Sequence, residues 1–117
     1  MNTDINNYIV RKHNKEWQPL IENEIRYTGI SVISLKYDED KKRSTTILLK
    51  FEAGATYPYH NHPGGEEIFV LSGEAILENV LLSEGDYLYT PVNFKHSVTT
   101  KTGCTMLFVV PEEVEIL

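Results

Sequence analysis

The sequence predicts an all-β fold, a sandwich or a barrel, on three observations. From Gly29 onward, short runs rich in Ile, Val, Leu, Thr and aromatic residues follow one another: ISVISLKY, TTILLKF, EEIFVL, AILENVLL, DYLYT, HSVTT and CTMLFVV. Turn-forming segments separate them, namely DEDKKRS, EAGA, HPGG, SGE, SEGD, PVNFK and KTG. Many short strands with frequent turns are the mark of sandwiches and barrels. No apolar run keeps a helical period beyond about two turns.

Taken in order, the first residues are polar, with Asn2, Asn6, Asn7, Asn14 and Asn23. This predicts an N-terminal arm over 1–28 and a single β domain over 29–117. Within the arm, Tyr8-Ile9-Val10 reads as a short edge strand, Trp17 with Pro19-Leu20 as an anchored loop, and Ile21 to Arg26 as a helical turn, proline resisting helical continuation. Strand alternation then assigns faces. Ile47, Leu49 and Phe51 share one face of TTILLKF, and Leu48 and Lys50 the other. In EEIFVL, Glu66 stands in line with Ile68 and Val70, so it is expected to point inward, while Glu67, Phe69 and Leu71 point out. Val98, Met106 and Phe108 complete the expected inner wall.

Length and composition restrict the function classes. A chain of 117 residues, 41% hydrophobic and 24% charged, fits one globular domain. Its net charge of −6 opposes nucleic acid and anionic lipid unless a local basic patch exists. The one candidate, Lys41-Lys42-Arg43, follows Asp38-Glu39-Asp40 and reads as a solvated hairpin tip. A single cysteine, Cys104, excludes an internal disulfide and a multi-cysteine zinc framework, and in CTMLFVV it is expected to be buried and inert. MNTDINNYIV lacks the apolar core of a signal peptide, and no stretch nears the roughly 20 apolar residues of a membrane span. The expectation is a cytoplasmic protein without nucleic-acid or membrane partners.

The segment YPYHNHPGGEE carries the chemistry. His60 and His62, spaced i, i+2, put both imidazoles on one face of a strand, roughly 6.6 Å apart along the chain. Pro63-Gly64-Gly65 supplies a sharp turn, and the returning strand begins with the inward Glu66. Two imidazoles and a carboxylate form a donor set suited to Zn, Fe, Mn, Ni or Cu. A fourth ligand is sought in His96, which opens the alternating run HSVTT and can pair with an earlier strand. An H-x-H pair alone is more often an exposed strand feature than a metal site. A buried carboxylate beside three imidazoles, however, is costly without a compensating cation.

These residues resemble the cupin superfamily. Its first motif, G-x5-H-x-H-x(3,4)-E-x6-G, is met by Gly54, His60, His62, Glu66 and Gly73. Its second, G-x5-P-x-G-x2-H-x3-N, is met by Gly85, Pro91 and His96, with Asn93 in place of the second glycine and Thr100 in place of the final asparagine. The PGGEE continuation, the later TGCT and the upstream Trp17-Gln18-Pro19 are similar to the cupin-like domain of the anti-sigma factor ChrR. The resemblance implies a small antiparallel β-barrel of jelly-roll type, with one divalent transition metal held by His60, His62, Glu66 and His96. The 117 residues leave no room for the helical domain that binds the sigma factor in ChrR, so an anti-sigma role is not carried over.

Two functional readings follow. One is a metal-dependent enzyme, of oxygenase or isomerase type since no separate general base is evident, acting on a small organic substrate. The other is a non-catalytic sensor or small-ligand-binding module. The spacer from Glu74 to Glu84 is too short for a lid, which places access at the barrel mouth. Tyr57 and Tyr59 have parity opposite to the histidines and are expected to pack away from the site, leaving a box of Tyr57, Tyr59, Tyr87 and Tyr89 unsupported. Edge strands and the arm suggest a homodimer.

Overall fold

In a computed structural model describing residues 3–117, the chain forms a nearly all-β, curled antiparallel half-barrel. Met1 and Asn2, the start of the polar arm, lie outside the described residues. Two short 3-10 turns, Ile5–Tyr8 and Lys12–Asn14, precede the strands. The strands are β1 (Gln18–Glu22), β2 (Ile25–Asp38), β3 (Arg43–Phe51), β4 (Thr56–His62), β5 (Glu66–Leu77), β6 (Val80–Ser83), β7 (Tyr87–Thr90), β8 (Phe94–Thr99), β9 (Cys104–Val109) and β10 (Glu115–Ile116). Among the described residues no helix is long and apolar enough to cross a membrane.

The sheet runs β1-β2-β3-β9-β5-β8-β4-β10, with β6 and β7 also paired to β5. Strand β5 is the corner of the barrel. Its first half pairs with β7 and β9, and its second half with β6 and β8. The ladder to β9 slips between Val70 and Ser72, and Gly73 follows at φ +75°. Such a bulge bends a strand and raises its twist. A side chain at Gly73 would collide with the carbonyl of Gly103, so the corner requires glycine.

Burial follows the expected parity on the central strands. Glu66, Ile68 and Val70 are buried in β5 while Phe69 and Leu71 are exposed, and β9 alternates with Cys104, Met106 and Phe108 inside. Leu49, Phe51 and Val98 complete the wall and pack with them in one core. Full burial of each such side chain contributes about 1.5–3 kcal/mol. Leu48, on the outer face, is also buried and stands opposite Ile33. Further along that face, the Lys50 ammonium lies 4.7 Å from the Trp17 ring centroid, which ties the N-terminal segment to the sheet.

Several local expectations are corrected. Tyr8 ends a 3-10 turn and Ile9-Val10 is irregular; the edge strand is β1, which contains Pro19 and Leu20 rather than leaving them in a loop. Proline is tolerated there because an edge strand need not donate on its open side. Ile21 to Arg26 is a hairpin, not a helical turn: Asn23 and Glu24 both take positive φ, 50° and 66°, the geometry of a tight two-residue turn. AILENVLL is likewise two strands joined through Glu78 (φ 49°) and Asn79 (φ 65°), and SGE lies within β5, just after its bulge, rather than forming a turn. The DEDKKRS hairpin tip is present, with Asp38 Oδ1 accepting from the backbone N–H of Asp40 and Lys41.

Candidate metal centre

Three strands assemble the cluster. On β4, His60 and His62 face the interior. On β8, His96 stands directly opposite His60 in the antiparallel ladder, as the alternation of HSVTT suggested. Opposed residues on neighbouring strands bring their side chains into contact. Between β4 and β5 the chain reverses at Pro63-Gly64-Gly65, where Gly65 takes φ +76° and its N–H donates to the His62 carbonyl. That turn delivers Glu66 as the first residue of β5. All four side chains are buried, and one ligand atom from each lies within 4.8 Å of the others. His13, in contrast, sits in an exposed 3-10 turn.

Hydrogen bonds orient the rings. His60 Nδ1 donates to the Pro58 carbonyl (2.6 Å) and His62 Nδ1 to the Phe94 carbonyl (2.8 Å). Both bonds place the proton on Nδ1 and leave Nε2 as a free lone pair, the usual outer support of a metal-binding histidine. Glu66 Oε2 lies 3.1 Å from His62 Nε2, and Oε1 lies 3.1 Å from His96 Nε2. Yet His62 Nε2, His96 Nε2 and Glu66 Oε1 are buried with no hydrogen-bond partner. Lone pairs facing a carboxylate in a dry interior repel unless a proton or a cation intervenes. A metal ion satisfies all of these atoms together, and the donor set fits one.

Without a cation, protons are the compensation, and the shifts show it. Burial pushes Glu66 up, but the His62 and His96 imidazoles outweigh it and hold the carboxyl below its ordinary value. Burial pushes His62 down, but Glu66 and the Phe94 carbonyl outweigh it and leave His62 above its ordinary value. Burial dominates at His60 and lowers it to about 4, only partly opposed by its bond to Pro58. His60 is therefore a neutral imidazole near pH 7, the form that ligates metals.

The turn before His96 is pinned from both sides. Asn93 sits at φ +66°, the left-handed conformation that lets asparagine stand in for glycine, and its N–H donates to the His62 carbonyl. Asn61 Nδ2 donates to Asn93 Oδ1 and to Glu115 Oε1, joining β4 to this turn and to β10. Thr100 also has a role: its hydroxyl donates to the Glu74 carbonyl (2.7 Å) and accepts from the Gly103 N–H (2.9 Å).

A cavity of about 420 Å³ adjoins the cluster, lined by His60 and Glu66 at its floor and by Leu49, Phe51, Val98 and Phe108 along its wall. Its rim is formed by Glu22 and Asn23 at the β1–β2 turn and by Lys41, Lys42 and Arg43 at the β2–β3 tip. The tip itself is largely exposed, as expected of a solvated hairpin. Lys41 pairs with Glu112 (2.7 Å), and Arg43 donates to the Val110 carbonyl (2.6 Å).

Two polar residues of the cavity escape the parity argument. The β4–β8 ladder slips between Tyr57 and His60, so a bulge at Pro58-Tyr59 turns Tyr57 inward as well. Its ring meets His60 edge-on at 4.8 Å between centroids, and its hydroxyl donates to Glu22 Oε1 at 2.5 Å. Burial and then Glu22 raise the phenol far above its ordinary range, so it stays protonated. Pro58 inside a strand was the available signal, since proline there marks a bulge or an edge. Glu22, which accepts the Tyr57 bond, also lines the cavity. Tyr59, Tyr87 and Tyr89 are exposed and form no box around the site.

Barrel, cluster and adjoining cavity are those of a cupin. A family model described as the ChrR cupin-like domain matches residues 6–114, and the chain belongs to that family. Over 64 residues it is 31% identical to the DNA damage-repair/toleration protein DRT102 of Arabidopsis thaliana, a match taking in 50% of this chain and 21% of that protein's length. Similar solved structures include an RmlC-like cupin from Ralstonia eutropha (TM-score 0.76, 18% identity, 91% of this chain and 69% of that one). They also include the polyketide cyclase RemF from Streptomyces resistomycificus (0.73, 20%, 93% and 84%). An acetylacetone dioxygenase from Acinetobacter johnsonii is similar too (0.74, 14%, 93% and 75%). At these identities the likeness shows the fold.

Proposed function

We propose that this protein holds one divalent transition metal through His60, His62, Glu66 and His96 and acts on a small organic substrate in the adjoining cavity, with oxygenase chemistry as the favoured reaction. The observation that carries the reading is the convergence of four buried candidate ligand atoms within 4.8 Å beside a roughly 420 Å³ cavity that His60 and Glu66 line. Fe, Mn, Zn, Ni and Cu all accept three imidazoles and one carboxylate. A metal bound there would polarise a substrate oxygen as a Lewis acid and, if iron or manganese, open the way to O2 chemistry.

The chain's own residues do the remaining work. The Nδ1–H bonds of His60 and His62 hold the rings so that neither turns away from the centre. Glu66 supplies the single negative charge of the cluster. Leu49, Phe51, Val98 and Phe108 exclude water and match an apolar portion of a ligand. Similar folds in a polyketide cyclase and an acetylacetone dioxygenase support this direction by analogy of fold alone.

A non-catalytic sensor or ligand-binding module is the second reading, favoured by membership in the family described by the cupin-like domain of ChrR. Metal-depleted protein reconstituted anaerobically with Fe(II), then exposed to air with small diketones and hydroxyketones, separates the two. The enzyme reading expects substrate-dependent oxygen uptake that disappears in His96→Ala. Retention of zinc alone, with no oxygen uptake across the series in any metal form, would leave the sensor reading standing.

A further inference from the structure

The cavity lining sets apolar residues beside charged ones, including the carboxylates Glu22, Glu66 and Glu113, and Tyr57, whose ring packs against His60, donates to Glu22. The rim cations Lys41 and Arg43 are spent on Glu112, Pro111 and Val110. Glu22 differs. One carboxylate oxygen, Oε1, accepts from Tyr57, while Oε2 has no hydrogen-bond partner among the described residues and Glu22 lines the cavity. The bond joins residues 35 apart in sequence and fixes a carboxylate from the β1–β2 hairpin against the strand that carries His60 and His62.

We propose that Glu22, positioned by Tyr57, is the proton acceptor of this cavity, and that the ligand it serves is a small enolisable carbonyl compound. This rests on the metal reading, because the ligand's oxygen is taken to face the His60 and Glu66 floor while its acidic C–H faces Glu22. The C–H bond next to the carbonyl breaks, and its proton forms an O–H bond on the Glu22 carboxyl. The electron pair moves into the adjoining carbon–carbon bond and leaves negative charge on the carbonyl oxygen. Return of a proton to the same carbon, after the Glu22 carboxyl has traded its proton with solvent, completes an exchange with solvent and needs no oxidant. A carboxylate pre-placed within reach of the proton is the geometric requirement of such catalysis. Tyr57 acts through Glu22 and is a positioning residue.

The test uses the full chain loaded with zinc, which has no redox chemistry, and hydroxyacetone as the probe. Deuterium uptake at its C1 position is followed by NMR in D2O, and zinc content and hydroxyacetone affinity are measured on the same samples. The wild type is expected to exchange, and Glu22→Gln to lose about 100-fold or more of that rate with zinc content unchanged and hydroxyacetone affinity within about threefold. Acetohydroxamic acid, which must give up a proton to bind as an enediolate mimic, is expected to bind Glu22→Gln about tenfold more weakly by calorimetry. Glu22→Asp should restore part of both.

A purely structural tie would lower the melting temperature and leave exchange per folded molecule unchanged, which would overturn the proposal. So would a zinc-replete wild type that exchanges nothing. That result leaves the metal reading intact, whereas a wild type unable to hold any metal overturns both. If Glu22→Gln fails to fold, Tyr57→Phe decides: about a tenfold fall in exchange with zinc retained is expected, and an unchanged rate contradicts the role of the pair.

Discussion

At and behind the floor of the cavity, His60, His62, Glu66 and His96 stand on three strands, and ladder register and a glycine turn bring them together. At the rim, Glu22, Asn23, Lys41 and Lys42 stand on two hairpin turns that meet only in the folded chain. The floor is dry, its polar atoms aimed at one another and partly unpartnered. The rim is more exposed, and its cations Lys41 and Arg43 are paired. Buried polar atoms in a low-dielectric interior carry large consequences when disturbed, whereas exposed ion pairs carry small ones. The two regions should therefore respond very differently to substitution and to pH.

The largest effect is expected at the floor. His96→Ala removes one of the four proposed ligands, and metal affinity measured by chelator competition should fall by more than about 100-fold, beyond the 10- to 100-fold typical of outer-sphere changes. Next comes the wall between floor and rim. Phe51→Ala opens a void in the core and should cost about 3–5 kcal/mol in denaturant unfolding, while the protein that remains folded keeps its full metal complement.

Acidity should act through the floor as well. Protons compete with the metal for its ligands. His62 lies above the ordinary histidine value in the metal-free chain, so it is the first of the shifted imidazoles to take a proton as pH falls. Apparent metal affinity should thus decline by about tenfold per unit once pH drops below that value. It should decline more steeply toward pH 4, where His60, lowered to about 4, joins. The smallest effect is at the rim. Lys41→Ala breaks its half-exposed pair with Glu112 and should change stability by no more than about 1 kcal/mol, leaving metal affinity unaltered. A rim variant that stripped the metal would break the contrast between the regions.

The same contrast explains what was legible in the sequence. Strict alternation in EEIFVL and CTMLFVV assigned the inner wall correctly, because β5 and β9 lie in the middle of the sheet with one face in the core. The four-residue cluster was legible because two sit i, i+2, the third follows a glycine turn and the fourth opens an alternating strand. The rim was not. Ile21 and Ile25 are exposed, so the β1–β2 hairpin carries no inward pattern, and its turn is set by positive φ at Asn23 and Glu24 rather than by glycine. Tyr57 was misplaced because period-2 parity fails across a bulge, and β4 has one at Pro58-Tyr59. The Glu22–Tyr57 bond spans distant segments, and nothing local in either encodes it.

The most direct test of the metal centre is elemental analysis of protein purified without chelator, wild type beside Glu66→Gln. The predicted result is close to one transition-metal ion per wild-type chain and little or none in the variant at equal folded content. Metal-free wild type that cannot be reconstituted, or equal metal in both proteins, would contradict it.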